Sequence, residues 1–391
     1  MKCKVEISMI TRRIVWQVLI LVLLGTPTFA FKVKPEATTS DNRIRSLQQS
    51  PLVHFSDGVA RLVINRFTSG VHERITNQIY GCEGNADECE SPDGDRTSAS
   101  KAVIGGVRWN DNPPFKLQQT RLKMCPKGTI KLPNFSVCWY ELFRDAKKRA
   151  ANGVFFDVST GTVPIYRVHF GDMQFLHSMA SKDGEPASYT INRMMMWAEL
   201  TYKVALGEIS SQTEVRKSGI SGTESLFKTR GWNIQQLFTR GDPTFRKERD
   251  LKDFAFGSLL HVVEDSFSIA HTERERGNKD DSSCPHLPQY KQPGKILSFH
   301  AYGHQDEGLH GEQDSHGALD EELRVDNPTV VDVGKVILSY YREKKPWPKL
   351  KEYLECVFTL ADPNAPAGPG DMFLPPTPVP EEPVPRAMIS E

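Results

Sequence analysis

The sequence predicts a mainly α-helical protein with loop and minor β insertions. Apolar residues recur at helical spacing in several long stretches. One of these, Thr190 to Gly207, is apolar nearly all round and meets almost no breaker before Gly207, as a buried helix requires. Residues 82–170 are instead richer in Gly, Pro, Asn and Asp, with short β-branched runs such as Gly161 to Phe170 that read as minor strands. With 391 residues, 38% hydrophobic and 25% charged, the chain can build a sizeable core, which excludes a wholly disordered protein. Lys+Arg and Asp+Glu both number 49, so a strongly basic nucleic-acid surface is not its dominant feature.

The elements follow in order. Residues 1–30 read as a secretory signal peptide. Lys2, Lys4, Arg12 and Arg13 precede an apolar run from Ile14 to Gly25, and Thr28 and Ala30 supply small residues for cleavage. The run is short for a membrane span of about 20 residues. Cleavage there removes four basic residues and Glu6, which takes the net charge from zero to −3. Residues 31–60 read as a flexible lead-in, 61–362 as the folded body with an insertion around 112–170, and 363–391 as a Pro-rich, extended or disordered tail. Helical signals cover 57–80, 190–207, 222–239, 250–272 and 328–344, with Pro328 suited to a first helical turn. Met194, Met195 and Met196 read as core packing.

Cysteine usage agrees with export. Beyond Cys3 there are six: Cys82, Cys89, Cys125, Cys138, Cys284 and Cys356. An even count in an exported chain suggests disulfides. Cys82–Cys89 and Cys125–Cys138 would close short loops and leave Cys284–Cys356, although six cysteines allow 15 connectivities. A cysteine zinc site is the competing reading, and no CxxC spacing supports it.

The chemistry concentrates in Phe254 to His271. On a helical wheel with His261 at zero, Asp265 lies at about +40°, Ser268 near −20° and His271 at about −80°, while Phe256, Leu259, Val263 and Ala270 cluster opposite. Two imidazoles and a carboxylate on one arc of so apolar a helix suit a metal, which needs neutral ring nitrogens and carboxylate oxygens converging on one point. Downstream, residues 300–316 hold His300, His304, His310 and His316, four of the eleven histidines, among Asp306, Glu307, Glu312 and Asp314. His310 and Asp314 repeat the His-x3-Asp spacing.

His261-x3-Asp265-x5-His271 resembles the signature helix of the zinc-dependent phospholipase C superfamily, which also contains the trinuclear-zinc single-strand nucleases. Further matches follow the superfamily's ligand order. His72 in VHERIT resembles its early histidine, Asp111 in GGVRWNDNPP the aspartate that follows, His177 in GDMQFLHSMA the next histidine, and His310 with Asp314 the late His-x3-acid pair. Together these span residues 72–314. His169 competes with His177, and its other reading is a strand histidine; His300 and His304 compete with His310. Members commonly begin with a Trp whose terminal amine and carbonyl bind one zinc, whereas cleavage here leaves Phe31.

The resemblance implies a mainly helical zinc-dependent phospholipase C or nuclease-like fold holding two or three zinc ions. It implies that Asp265 bridges two ions, that His261, Asp111 and His177 complete one shell and His72 helps form another, and that His271, His310 and Asp314 hold the third. Asp111 is the candidate to orient or deprotonate the attacking water. Ser266 and Ser268 read as packing or supporting residues, not nucleophiles. The implied activity is an exported phospholipase C acting at a membrane surface, releasing diacylglycerol from phospholipid, with phosphatidylcholine as the first candidate. No stable nucleic-acid complex and no transmembrane span after signal cleavage are expected. The alternatives are an exported single-strand nuclease and a non-catalytic metal-stabilised binding protein. Phe115, Phe155 and Phe156, in the insertion, are candidates for lipid contact.

Overall fold

The structure, a computed structural model, describes residues 70–374 apart from 85–87, 90–97, 118–127, 133, 161–163, 229–230, 243–244, 246 and 277–281. The expected signal peptide, the lead-in, the first part of the 57–80 helix, Cys3, Cys125 and residues 375–391 lie outside the described residues.

Helices dominate. In chain order they begin with α1 (Val71–Ile79), α2 (Lys101–Val107), α3 (Ser136–Ala151), α4 (Pro164–Phe170), α5 (Ala187–Leu206), α6 (Thr223–Leu226), α7 (Ile234–Thr239) and α8 (Glu248–Asp265). α9 (Glu307–Gln313), α10 (His316–Val325), α11 (Val330–Arg342) and α12 (Trp347–Val357) follow. The strands form three antiparallel pairs: β1 (Phe115–Leu117) with β2 (Gly128–Ile130), β3 (Thr272–Arg274) with β6 (Ile296–Phe299), and β4 (Ser283–Cys284) with β5 (Leu287–Lys291). Among the described residues no helix is long and apolar enough to cross a membrane.

α8 is the hub, packed against α2 and α5. Every residue from Phe254 to Asp265 is buried, so the arc carrying His261 and Asp265 is as enclosed as the apolar one. α2 and α8 meet backbone to backbone. A Cβ on Gly106 would lie 1.8 Å from the Phe254 carbonyl oxygen, and one on Gly257 would lie 2.0 Å from that of Val103. Glycine at both positions permits this crossing, at a propensity cost of about 1 kcal/mol each. α5 runs as expected to Gly207, which takes the left-handed C-cap conformation at φ +81°. Met194 and Met196 are buried and Met195 packs against the core, as read from sequence.

Four helical readings change. The run to Phe170 is helix α4, not a strand: Pro164 pre-sets its start, and burial of all seven residues outweighs β-propensity. Among the described residues, 82–170 thus include α2, α3 and α4 besides a hairpin. The 222–239 signal is two short helices, because Asn233 opens α7 with a capping box. Pro328 precedes the N-cap Thr329 instead of sitting in the first turn of α11.

Two hydrophobic cores form. The larger surrounds α8. The second is built from the 115–170 region, with Phe115, Trp139, Phe143 and Phe156 buried in it beside Tyr302. Phe115 and Phe156 are therefore core residues, not lipid contacts, while Phe155 is 43% exposed. Disulfides join Cys82 to Cys89 and Cys284 to Cys356, as expected, and exclude a cysteine zinc site there. Cys138 is disulfide-bonded as well. Residues 363–374 also correct the sequence reading. They form a strap across the body: Gly184 N–H donates to Ala367 O, Ala187 N–H to Ala365 O and Ala301 N–H to Gly368 O, and Phe373 is 2% exposed.

Candidate metal centre

The C-terminal end of α8 supplies the first two groups. His261 Nε2 lies 2.9 Å from Asp265 Oδ2, one turn apart. The helix stops there instead of continuing to 272. Ser266 caps it, the Ser266 hydroxyl donates to Val263 O, and Thr272 Oγ1 and Arg274 Nε donate to Ser266 O. These side chains take up backbone groups that a longer helix would need. Tight turns then return His271 to the cluster, with Nδ1 3.5 Å from Asp265 Oδ2.

α1 brings His72 onto α8, its ring stacked on His261 with centroids 4.0 Å apart. Its Nδ1 donates to Glu264 at 2.6 Å, while Nε2 lies 3.3 Å from Asp265 Oδ1. Asp111 follows α2 and is set by its neighbour Asn110. The Asn110 amide donates to Leu176 O and its oxygen accepts from Ser258 Oγ, which in turn accepts from Trp197 Nε1. That network ties Asp111 to the turn carrying His177. His177 Nδ1 lies 3.1 Å from Asp265 Oδ2 and 3.6 Å from Asp111 Oδ1. α9 contributes His310 and its C-cap residue is Asp314, Nε2 to Oδ2 2.9 Å, and His271 Nε2 lies 3.5 Å from Asp314 Oδ2.

The structure brings together all eight residues singled out as ligands. Three groups result: His72–Asp111–His261, His177–His261–Asp265 and His271–His310–Asp314. In each, the candidate donor atoms lie within 4.8 Å of one another. All eight residues are buried, Asp111 being the most accessible at 4%. Both carboxylate oxygens of Asp111 lack a hydrogen-bond donor, as do Oδ1 of Asp265 and Oδ2 of Asp314; Nε2 of His177 and of His310 and Nδ1 of His261 are also buried without hydrogen-bond partners. Uncompensated buried polar atoms of this kind are costly. Metal ions among these nitrogens and oxygens would remove that cost, and imidazole with carboxylate suits divalent transition ions. The residues present fit such ions.

The electrostatics are those of crowded charge. Burial lifts the Asp111 carboxyl well above its ordinary range, against the pull of His72. Burial also opposes ionisation of Asp265, but His271, His261 and His72 together hold it well below the usual value. His271 is raised to about 10: burial lowers it, and Asp265 and Asp314 outweigh burial. Burial, helped by His72, lowers His261 to about 3.

The competing histidines belong to none of these donor groups. His300 Nδ1 donates to Ala270 O, and His304 is exposed beside Asp183. His169 is in a helix, not a strand, and contacts the Asp111 carbonyl at 2.9 Å while stacking on His177. Ser268 donates to Asp314 at 2.5 Å, in the supporting role expected. Sequence reasoning missed Glu264 and Gln305, which receive the Nδ1 protons of His72 and His310. No local periodicity marks Gln305; Glu264 carried a signal only as the acid beside Asp265. A cavity of about 300 Å³ lies behind Glu264 and Ser268, lined also by Phe267, Arg276, Leu319 and Glu322. Compared with protein-family models, curated proteins and solved structures, the chain finds no match.

Proposed function

We propose that this chain is an exported zinc-dependent phospholipase C, hydrolysing phospholipid to diacylglycerol and a phosphorylated head group, with phosphatidylcholine as the first substrate to test. The observation that carries the reading is the convergence of eight buried His and Asp side chains into three donor groups, two of which share His261, in the order of the superfamily motif. Disulfides are consistent with an exported chain. Leu309 on α9 and Met372 on the strap are exposed apolar residues on elements that carry or contact His310, where an apolar substrate surface would meet them.

His72, Asp111, His177, His261, Asp265, His271, His310 and Asp314 would hold the ions. When bound, clustered zinc neutralises a phosphodiester and lowers the pKa of water at the site. The Asp265 carboxylate has four imidazole nitrogens within 3.5 Å. Asp111 has two buried carboxylate oxygens without donors, which suits a group that accepts or orients the proton of the attacking water. Glu264 and Gln305 fix ring orientation at His72 and His310.

The test is product analysis with phosphatidylcholine vesicles and with single-stranded DNA, each with and without chelator. Chelator-sensitive release of diacylglycerol is expected. Cleavage of single-stranded DNA with no diacylglycerol from any phospholipid would move the assignment to the nuclease. Neither activity, in protein that binds zinc, would leave the non-catalytic metal-stabilised reading.

A further inference from the structure

The Gln305 amide uses both of its N–H donors. Its Nε2 donates to Ala270 O at 2.9 Å and to Pro369 O at 2.8 Å. Both partners are carbonyls and can only accept. The amide therefore cannot be turned over, since that would set its oxygen against two carbonyl oxygens. Its Oε1 must face His310 Nδ1, 2.7 Å away, and an oxygen there requires the proton on Nδ1. The His310 Nε2 lone pair is then left toward Asp314 and His271.

Each partner of Gln305 has its own anchor. Ala270 precedes the ligand His271. Pro369 belongs to the 363–374 strap, which continues through Gly370 to Phe373. Asp306 N–H donates to Phe373 O, and the Phe373 ring packs on His300 and His310. Gly370 has φ +81°, and a Cβ there would lie 2.6 Å from the His300 ring.

We propose that the C-terminal strap is a built part of the metal centre, acting through Gln305 as a positioning residue that fixes the orientation and tautomer of His310. The strap holds the Gln305 amide, the amide holds the imidazole, and the His271–His310–Asp314 group is assembled only when all three are in place. The inference rests on the metal-centre reading but not on the identity of any substrate.

The test reads zinc and protons, not turnover. Gln305→Met keeps the volume and removes the amide; Gly370→Ala leaves Gln305 intact and disturbs the strap. Zinc affinity is measured by competition with a chelator, and the imidazole nitrogens are observed by ¹⁵N NMR in the metal-stripped full chain. Both variants are expected to weaken one zinc per chain by 10–100-fold, the usual effect of removing a ligand's supporting partner, while the remaining zinc is held as in the wild type. The wild type is expected to show a protonated His310 Nδ1, and Gln305→Met to lose that single tautomer. Unchanged affinity in folded Gln305→Met overturns the proposal. So does equal weakening of every zinc, which would mark a general loss of stability, and so does a wild-type His310 protonated on Nε2 and not on Nδ1. A wild-type chain that takes up no zinc overturns the metal centre together with this proposal. Normal zinc binding and the predicted tautomer, in a chain that hydrolyses no lipid, would overturn the substrate assignment alone.

Discussion

Replacing Asp265 by Asn keeps the shape of the side chain and removes its charge. Four imidazole nitrogens lie within 3.5 Å of that carboxylate: His261 Nε2 at 2.9 Å, His177 Nδ1 at 3.1 Å, His72 Nε2 at 3.3 Å and His271 Nδ1 at 3.5 Å. A unit charge pair about 4 Å apart is worth about 4 kcal/mol at an effective dielectric of 20. A divalent ion in contact with the carboxylate loses at least that much, or roughly three decades of affinity. Glu264→Gln is the graded comparison. Glu264 touches no ion site directly and acts on His72 Nδ1, so it should cost only about 10–100-fold. Both are measured as zinc retained per chain after dialysis and as affinity against a competing chelator, with near-ultraviolet circular dichroism to verify packing. Asp265→Asn should lose one or two of the two or three ions, and Glu264→Gln should weaken one. Wild-type zinc content and affinity in Asp265→Asn would refute the bridging role. Equal losses in the two variants would refute the distinction between a ligand and its support.

Further outcomes follow from other residues. His310→Ala should lower zinc content, whereas His304→Ala should leave it unchanged because that ring is exposed beside Asp183; elemental analysis of both decides which histidine serves. Burial, opposed by the Val330 N–H and reinforced by Asp326, pushes the Glu322 carboxyl up to about 7. An acid raised in the fold contributes stability below its unfolded pKa and loses it as pH rises through about 7, by up to about 3 kcal/mol. The Tm of the wild type should thus fall relative to Glu322→Gln between pH 5 and 8. Opening Cys284–Cys356, which spans 72 residues, should cost about 4 kcal/mol, and opening Cys82–Cys89, which spans 7, about 2 kcal/mol. Thermal melts of the paired Cys→Ala variants should rank in that order.

What was legible in the sequence is what helices repeat locally. His261 with Asp265 and His310 with Asp314 are i,i+4 pairs, and helix geometry alone puts such side chains on neighbouring turns. The all-round apolar stretch of α5 likewise announces its own burial. Partnerships across the chain leave no such trace. Glu264 and His72 are 192 residues apart, and Asn110 and Leu176 are 66 apart. The Pro-rich composition after Pro363 reads as an extended or disordered tail. It did not reveal a strap, because backbone pairing with residues 184–187 and 301 depends on where those chains lie and not on the strap's own side chains.

His271 is the instructive case, because its assignment as a candidate ligand came from a wheel that the structure does not keep. Six residues of continuous helix after Asp265 would carry it about 9 Å along the axis, out of reach of any ion shared with Asp265. The x5 spacing brings the imidazole back only if the helix ends at Asp265 and the chain turns. The serines between Asp265 and His271 have that task. Ser266 caps the helix and offers its carbonyl to Thr272 and Arg274. Ser268 Oγ holds Asp314, and its backbone carbonyl accepts from the amides of His271 and Thr272. Arg274 is buried, stacked over Phe267, and also donates to Gly294 O and Val357 O, so it fastens the turn to the body of the protein. The spacing is therefore the signature of a helix interrupted at a fixed point. Its third member marks where the chain returns to the site, and helical periodicity alone would have sent it away.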